Sequence, residues 1–361
     1  MEPATIARLK TATGEEAAEF AVAAQFEASS VRHTKAGKPY LELTFADATD
    51  RFTIKLWSDS RLYADAEALA PGAFLLLEGR WTHGEYGIDV KQLRWHALDD
   101  DAIADFLQGD PDTRARQARD IADIRAFCDS VTDPRLRALC FHFLETMGDH
   151  FARTAAAKKN HHARRGGLVE HVAQMMRAAD ALCPVYPELN RDLLVTAILF
   201  HDVGKLWENS YPPEGFAQQQ SIYGEMLGHI PLGIELANKL WQDVQAGQNT
   251  DNWDKLKPPT QIVKLHLLHL IASHHGQHEF GSPTLPRTPE AFALHYIDNL
   301  DAKLEMVRGA YLTARETAPG IQERVFPLPA PLVRPLPAFQ PQSVGPENDY
   351  PPDNTAPADN G

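Results

Sequence analysis

The apolar residues of this chain change period once, from two to about 3.6, and that change limits the folds open to it. Tyr40-Leu41-Glu42-Leu43-Thr44-Phe45 and Arg51-Phe52-Thr53-Ile54-Lys55-Leu56-Trp57 alternate apolar and polar positions, as half-buried strands do. From about residue 115 onward the apolar residues recur at i, i+3 and i+4 instead, the spacing of amphipathic helices. The helical segments expected are Leu136–Lys159, Leu168–Cys183, Asp192–Lys205, Ile222–Val244, Pro259–His275 and Pro289–Leu312. The expected fold class is therefore multidomain, β then α.

Lys35-Ala36-Gly37-Lys38, Asp47-Ala48-Thr49-Asp50 and His83-Gly84-Glu85-Tyr86-Gly87 supply turn signals at hairpin spacing. A short helical stretch, Ser58–Leu69, follows the third strand, and Ala73–Trp81 and Ile88–Trp95 read as two more. Five strands with a helical segment after the third suggest a small closed barrel of OB type, with another small β-barrel as the alternative. The expected organisation is a barrel over 17–97, an acidic linker over 98–133, an all-helical domain over 134–315 and a disordered tail over 318–361. The tail is dense in proline and ends in a polar run, a composition that cannot bury enough apolar surface to fold alone.

Composition narrows the compartment and the partner. The chain has 361 residues, 43% of them hydrophobic and 23% charged, the balance of an ordinary globular protein. No apolar run of roughly 18 residues is present, so no membrane span is expected. The opening MEPATIARLKTATGEE does not read as a signal peptide. Cys128, Cys140 and Cys183 are widely spaced and odd in number, which fits small buried hydrophobes in a reducing, cytoplasmic setting. A net charge of −14 argues against a surface coated for nucleic acid. The charge is uneven, however: residues 151–200 carry 7 Lys/Arg against 4 Asp/Glu, so a polyanion would be met locally, near Arg153–Arg165.

The helical region holds His171, His201-Asp202, His229, His274-His275 and Asp298, with Lys205 close behind the His-Asp pair. Imidazole and carboxylate together suit divalent Mn, Fe, Co, Ni or Zn rather than Mg or Ca. The His-Asp pair closes the apolar run Leu193–Phe200, where an unpaired carboxylate would be costly to bury and a metal would remove that cost. Gly204 would let the helix end and bring backbone close to a ligand. Asp301, one turn from Asp298, is the competing ligand. Asp298 is preferred because it directly follows Ala293-Leu294-His295-Tyr296-Ile297. His266, His269 and His295 read as satisfied core histidines.

The order His171 … His201-Asp202 … Asp298 resembles the HD phosphohydrolase superfamily, an all-helical fold. His229, in Gly228-His229-Ile230-Pro231, and His274-His275 resemble the members that hold two metals. The chain is most similar to the YhaM-type 3′–5′ exoribonucleases, which join an OB barrel to an HD domain. The resemblance runs through Gly166-Gly167-Leu168-Val169-Glu170-His171, His201-Asp202-Val203-Gly204-Lys205, Ser273-His274-His275-Gly276 and Leu300-Asp301-Ala302-Lys303, and covers about 17–312. The Gly-Tyr-Pro that cyclic-dinucleotide phosphodiesterases carry after the His pair is replaced by Gly281-Ser282-Pro283.

The resemblance implies that His171, His201, Asp202 and Asp298 hold one divalent ion, manganese first among the candidates. Asp202 would bridge to a second ion completed by His229, His274 and His275. Lys205 could neutralise phosphate charge, Arg164 and Arg165 could hold the next phosphate, and His161 or His162 could protonate the leaving oxygen. Their ordinary alternatives are a helix-end cation for Lys205 and a solvated turn for the arginines. On the barrel, Trp57 and Lys55 share the strand face opposite Phe52, Ile54 and Leu56. With Arg32, Lys38, Tyr40, Trp81 and Tyr86 they could stack bases and track a single strand of RNA or DNA, the alternative for the tryptophans being barrel packing. The rival functions are a nucleotide or cyclic-nucleotide phosphohydrolase with a protein-binding barrel, and a non-catalytic single-strand-binding protein.

Overall fold

A computed structural model describes residues 3–14, 16–84, 87–158, 162–218, 221–247 and 253–337. Backbone contacts divide the chain into two compact units, Met1–Ala302 and Lys303–Gly361.

The first unit opens with α1 (Ile6–Ala12), then β1 (Ala18–His33), β2 (Pro39–Ala46) and β3 (Arg51–Trp57). After the short α2 (Tyr63–Glu67) come β4 (Phe74–Gly84) and β5 (Gly87–Ala97). The strands form one antiparallel sheet in the order β3-β2-β1-β4-β5. The long β1 makes this possible: its first half pairs with β4 and its second half with β2, with a register shift between Phe26 and Ala28. The alternation legible in β3 sets its faces. Phe52, Ile54 and Leu56 point into a core with Phe26, Leu43, Phe45, Leu77 and Trp81, while Thr53, Lys55 and Trp57 point out. Each such buried side chain contributes about 1.5–3 kcal/mol relative to exposure.

Two helices follow the sheet, α3 (Asp100–Gln108) and α4 (Pro111–Asp129). The segment expected as a linker is thus largely helical. Asp110 caps α4 by accepting from Thr113 N, and α4 delivers Ile124 and Cys128 to the helical core. Asp133 likewise caps α5 (Pro134–Arg153), whose proline sits in the first turn where its missing N–H costs nothing. Next come α6 (Gly167–Leu182), α7 (Arg191–Phe200), α8 (Lys205–Glu208), α9 (Ile222–Leu227), α10 (His229–Gln245), α11 (Thr260–Ser273) and α12 (Pro289–Thr313), inside which the unit boundary falls. The single helix expected over Ile222–Val244 is broken at Gly228, whose φ of 72° separates α9 from α10. Every residue of Leu193–Phe200 in α7 is buried, so the helix is surrounded by its neighbours rather than laid on a surface.

The sheet is docked on the helical part. The Gln25 side chain accepts from Phe216 N and Ala217 N at 2.7 and 2.9 Å, and donates to Gly72 O at 3.2 Å. Phe106 stands edge-on between Phe74 of β4 and Phe216, at 5.6 and 5.3 Å.

In the second unit, β6 (Glu316–Ala318) pairs with β7 (Ile321–Gln322) across a turn that Gly320 makes with φ of 74°. Ile321 also bridges to Val333. Ala318, Ile321, Gln322 and Val333, all within the tail expected to be disordered, therefore carry paired backbone. The part of that expected tail over 338–361 lies outside the described residues. No helix among the described residues is long and apolar enough to cross a membrane.

Candidate metal centre

Four helices bring the histidines together. α6 carries His171, the end of α7 presents His201 and Asp202, α10 begins with His229, and α11 ends at His274-His275. Asp298 projects from α12. The approach of α8 to the start of α10 depends on Gly204, because a Cβ there would lie 1.8 Å from the carbonyl oxygen of His229.

All five rings are aimed alike. His201 and His274 each donate from Nδ1 to the carbonyl three residues back, Ile198 and Ile271, both at 2.8 Å. His275 donates to Phe280 O at 2.7 Å, His171 to Asp301 Oδ2 at 2.7 Å and His229 to Glu208 Oε2 at 2.8 Å. A carbonyl or carboxylate oxygen can only accept, so each Nδ1 holds a hydrogen and each ring turns Nε2 inward, where it offers a lone pair once the ring is neutral.

Those lone pairs converge. His171 Nε2 lies 3.3 Å from His201 Nε2, and His229 Nε2 lies 3.2 Å from His275 Nε2. Two facing lone pairs repel unless a proton or a cation sits between them. An ion about 2.1 Å from each nitrogen fits that separation. Asp202 faces both pairs, with Oδ2 3.2 Å from His201 Nε2 and Oδ1 3.6 Å from both His229 and His274 Nε2. Asp202 Oδ1 and His274 Nε2 are buried and make no hydrogen bond among the described residues, the condition a metal ion would relieve. Asp298 Oδ1 completes the first group at 3.3 Å from His171 Nε2. The residues present therefore fit divalent metal: three groups among the described residues could each hold an ion. Two of them, His171/His201/Asp202 and His229/His274/His275, face Asp202, while in the third, His162/His171/Asp301, the carboxylate already accepts from His171 Nδ1.

The electrostatics of Asp202 and His275 agree with that reading, whereas His171 must give up a proton to take an ion. Burial disfavours an ionised Asp202, yet the Lys205 ammonium and the His201 ring hold its carboxyl well below the usual range. Burial also pulls His171 down, but the hydrogen bonds and charges of Asp298 and Asp301 outweigh it and raise the ring to about 9. Burial and the neighbouring His274 push His275 down to about 4.

Several expected site residues are placed differently. His162 is buried, with Nε2 3.0 Å from Asp301 Oδ2 and Nδ1 3.6 Å from Glu170 Oε2. A ring enclosed by two carboxylates away from solvent does not suit the leaving-group acid expected of it. Arg164 is spent on Glu170, and Arg165 donates to the carbonyls of Pro212, Pro213 and Gly215, so both arginines brace the fold rather than wait for phosphate. Lys205 is buried with Nζ 2.5 Å from Asp202 Oδ2, beside the proposed reaction centre. His161 and Tyr86 lie outside the described residues.

On the sheet, Trp81 is a core residue, fully buried, edge-on to Phe52 and donating from Nε1 to Phe20 O. Trp57 is 43% exposed and packs its ring against Tyr40 at 5.1 Å. Lys55 is exposed on the same face, while Arg32 and Lys38 pair with Glu42 and Asp59 at the surface. Glu208, Asp301 and Glu170 were not anticipated in their present roles. The only trace of the first two is a carboxylate one turn beyond Lys205 and one turn beyond Asp298.

A helical domain built around paired His and Asp side chains defines a protein of the HD class, and residues 168–303 match the HD domain family. Three curated relatives, each called 3′–5′ exoribonuclease YhaM, align over most of their length. Those from a Geobacillus species, Oceanobacillus iheyensis and Bacillus pumilus are each 32% identical, over 81% of this chain and 84%, 86% and 87% of the relative. The chain belongs to this YhaM family. Among solved structures, the asparaginyl-tRNA synthetase from Pyrococcus horikoshii matches 40% of this chain and 36% of its own at 15% identity and a TM-score of 0.23, too low to carry an argument.

Proposed function

We propose that this chain is a metal-dependent 3′–5′ exoribonuclease that shortens single-stranded RNA by hydrolysis. The observation that carries the reading is Asp202, whose two oxygens face two separate histidine groups. Family membership supports the activity and its polarity, because the relatives carry that name.

One ion would be held by His171, His201, Asp202 and Asp298, and the second by Asp202, His229, His274 and His275. Five imidazoles and two carboxylates form a mixed nitrogen and oxygen set that suits divalent Mn, Fe, Co, Ni or Zn, and manganese is the metal proposed on the resemblance. Such a pair supplies a water ionised near neutral pH and positive charge for the phosphoryl oxygens. The protein's part is geometric. The Nδ1 hydrogen bonds fix each ring before any ion arrives, and burial keeps competing water from His201, His274 and Asp202. Lys205 stands beside Asp202 and adds a fixed positive charge where negative charge grows on phosphate.

The domains proposed are an OB-type barrel over 17–97, a connecting segment over 98–133 and an HD domain over 134–315. The approach of β3 to β5, the two outer strands of the sheet, supports closure. Tyr40 and Trp57, with Lys55, Arg32 and Lys38 around them, form the face proposed to stack bases and follow the backbone.

The test is the chain with Mn²⁺ and single-stranded RNA labelled at its 5′ end, beside free nucleoside triphosphates and cyclic nucleotides. The reading expects a ladder of labelled RNA that shortens progressively from the 3′ end. Immediate release of labelled mononucleotide, or hydrolysis of the free nucleotides alone, would overturn it.

A further inference from the structure

We infer that Asp301 and Glu208 are positioning residues, one for each half of the metal centre, holding His171 and His229 with Nε2 turned inward. The inference rests on the two-ion reading above. Of the five inward-facing rings, His201, His274 and His275 are held by main-chain carbonyls, and the fold alone supplies those acceptors. His171 and His229 are held by side-chain carboxylates instead, and the two fall in different groups. A carboxylate on Nδ1–H fixes the tautomer and also pushes electron density toward Nε2, making the ring a stronger ligand.

Asp301 is itself braced. His162 Nε2 lies 3.0 Å from the same Oδ2 that accepts from His171. The His162 backbone has φ of 46°, a region costly for a residue with a side chain and maintained only where surroundings enforce it. The enforcement is visible at Gly167, where a Cβ would lie 2.0 Å from the carbonyl oxygen of His162. Beneath His162, Glu170 is buried and bound by Arg164 and by Gln117 of α4. The His162–Glu170 segment thus forms a bracket around Asp301, which accounts for His162 and Arg164, whose placement phosphate contact does not explain. Glu208 is held more simply, by α9 lying close against its backbone: a Cβ on Gly224 would sit 2.8 Å from Glu208 Cα.

The test is calorimetric titration of the metal-stripped full chain with Mn²⁺, comparing wild type, Asp301→Asn, Glu208→Gln and the double variant. Both substitutions keep side-chain shape and remove charge. Wild type should bind two ions. Each single variant should weaken one ion by about 10–100-fold and leave the other unchanged, and the double variant should weaken both. Thermal melting of each metal-stripped variant separates this from general loss of structure. If Asp301→Asn does not fold, Glu208→Gln carries the test alone, since Glu208 lies outside the bracket. Two ions bound at wild-type affinity by Glu208→Gln, or equal weakening of both by one substitution, overturns the inference. A wild-type chain that binds fewer than two ions overturns the two-ion reading instead.

Discussion

Gly204 and the carbonyl of His229 approach so closely that a Cβ on the glycine would lie 1.8 Å from that oxygen. The contact is backbone against backbone, so no rotamer change can relieve it. It also joins the His-Asp turn to the first residue of α10, which places the two histidine groups of the candidate metal centre relative to each other.

Gly204→Ala is therefore expected to destabilise the chain by about 1–3 kcal/mol and to weaken the ion held by the His229 group. Gly148→Ala is the control: it lies within α5, its added Cβ meets nothing within 4 Å, and alanine is the better helix former by about 1 kcal/mol. Thermal melts and Mn²⁺ titration of both variants check the pair. Equal melting temperatures for the two would contradict the close approach.

Metal uptake near neutral pH should release a proton from His171. Its ring is raised to about 9 in the metal-free chain by Asp298 and Asp301 acting against burial, so at pH 7.5 it is protonated and Nε2 must lose its hydrogen to take an ion. His275, lowered to about 4 by burial and by His274, is already neutral and releases none. Because the His171 value is raised on folding, its charge stabilises the metal-free chain below about pH 6.5, and that contribution fades as pH climbs through 9. Titrations in buffers of different ionisation enthalpy should show release at pH 7.5 that declines toward pH 10. No release at pH 7.5 would mean that the ring binds no ion through Nε2.

The two sheet tryptophans should separate binding from folding. Trp57→Ala removes a half-exposed ring packed at a tilt against Tyr40. It should leave melting nearly unchanged and cost about 1–3 kcal/mol in affinity for long single-stranded RNA. Trp81→Ala empties a fully buried core position and should cost about 3–5 kcal/mol of stability. Fluorescence binding and thermal melts distinguish them. Unchanged RNA affinity in Trp57→Ala would remove this face from the proposed interface.

The sequence carried the elements and the inner ring of the site because both rest on local pattern. The alternation in β3 and the unbroken apolar run of α7 appear where expected, and the His and Asp positions marked in sequence order converge in space. The outer contacts were not legible for the opposite reason. Asp301 reaches His171 across 130 positions and Gln25 reaches Phe216 across 191, distances at which no periodicity carries information. His162 and Arg164 misled because a basic run reads the same whether it faces phosphate or a buried carboxylate such as Glu170. Trp81 misled because an aromatic strand residue can face either side, and its Nε1 found a partner in Phe20 O within the core.

The central claim is that Asp202 joins two metal sites that hydrolyse RNA, and Asp202→Asn tests it most directly. The substitution keeps the shape of the side chain and removes the charge that both histidine groups face. Manganese content and RNA turnover should be measured on the same preparation, beside wild type. The account predicts turnover lost and metal reduced from two ions per chain to one or none. Wild-type turnover with two ions retained would contradict it.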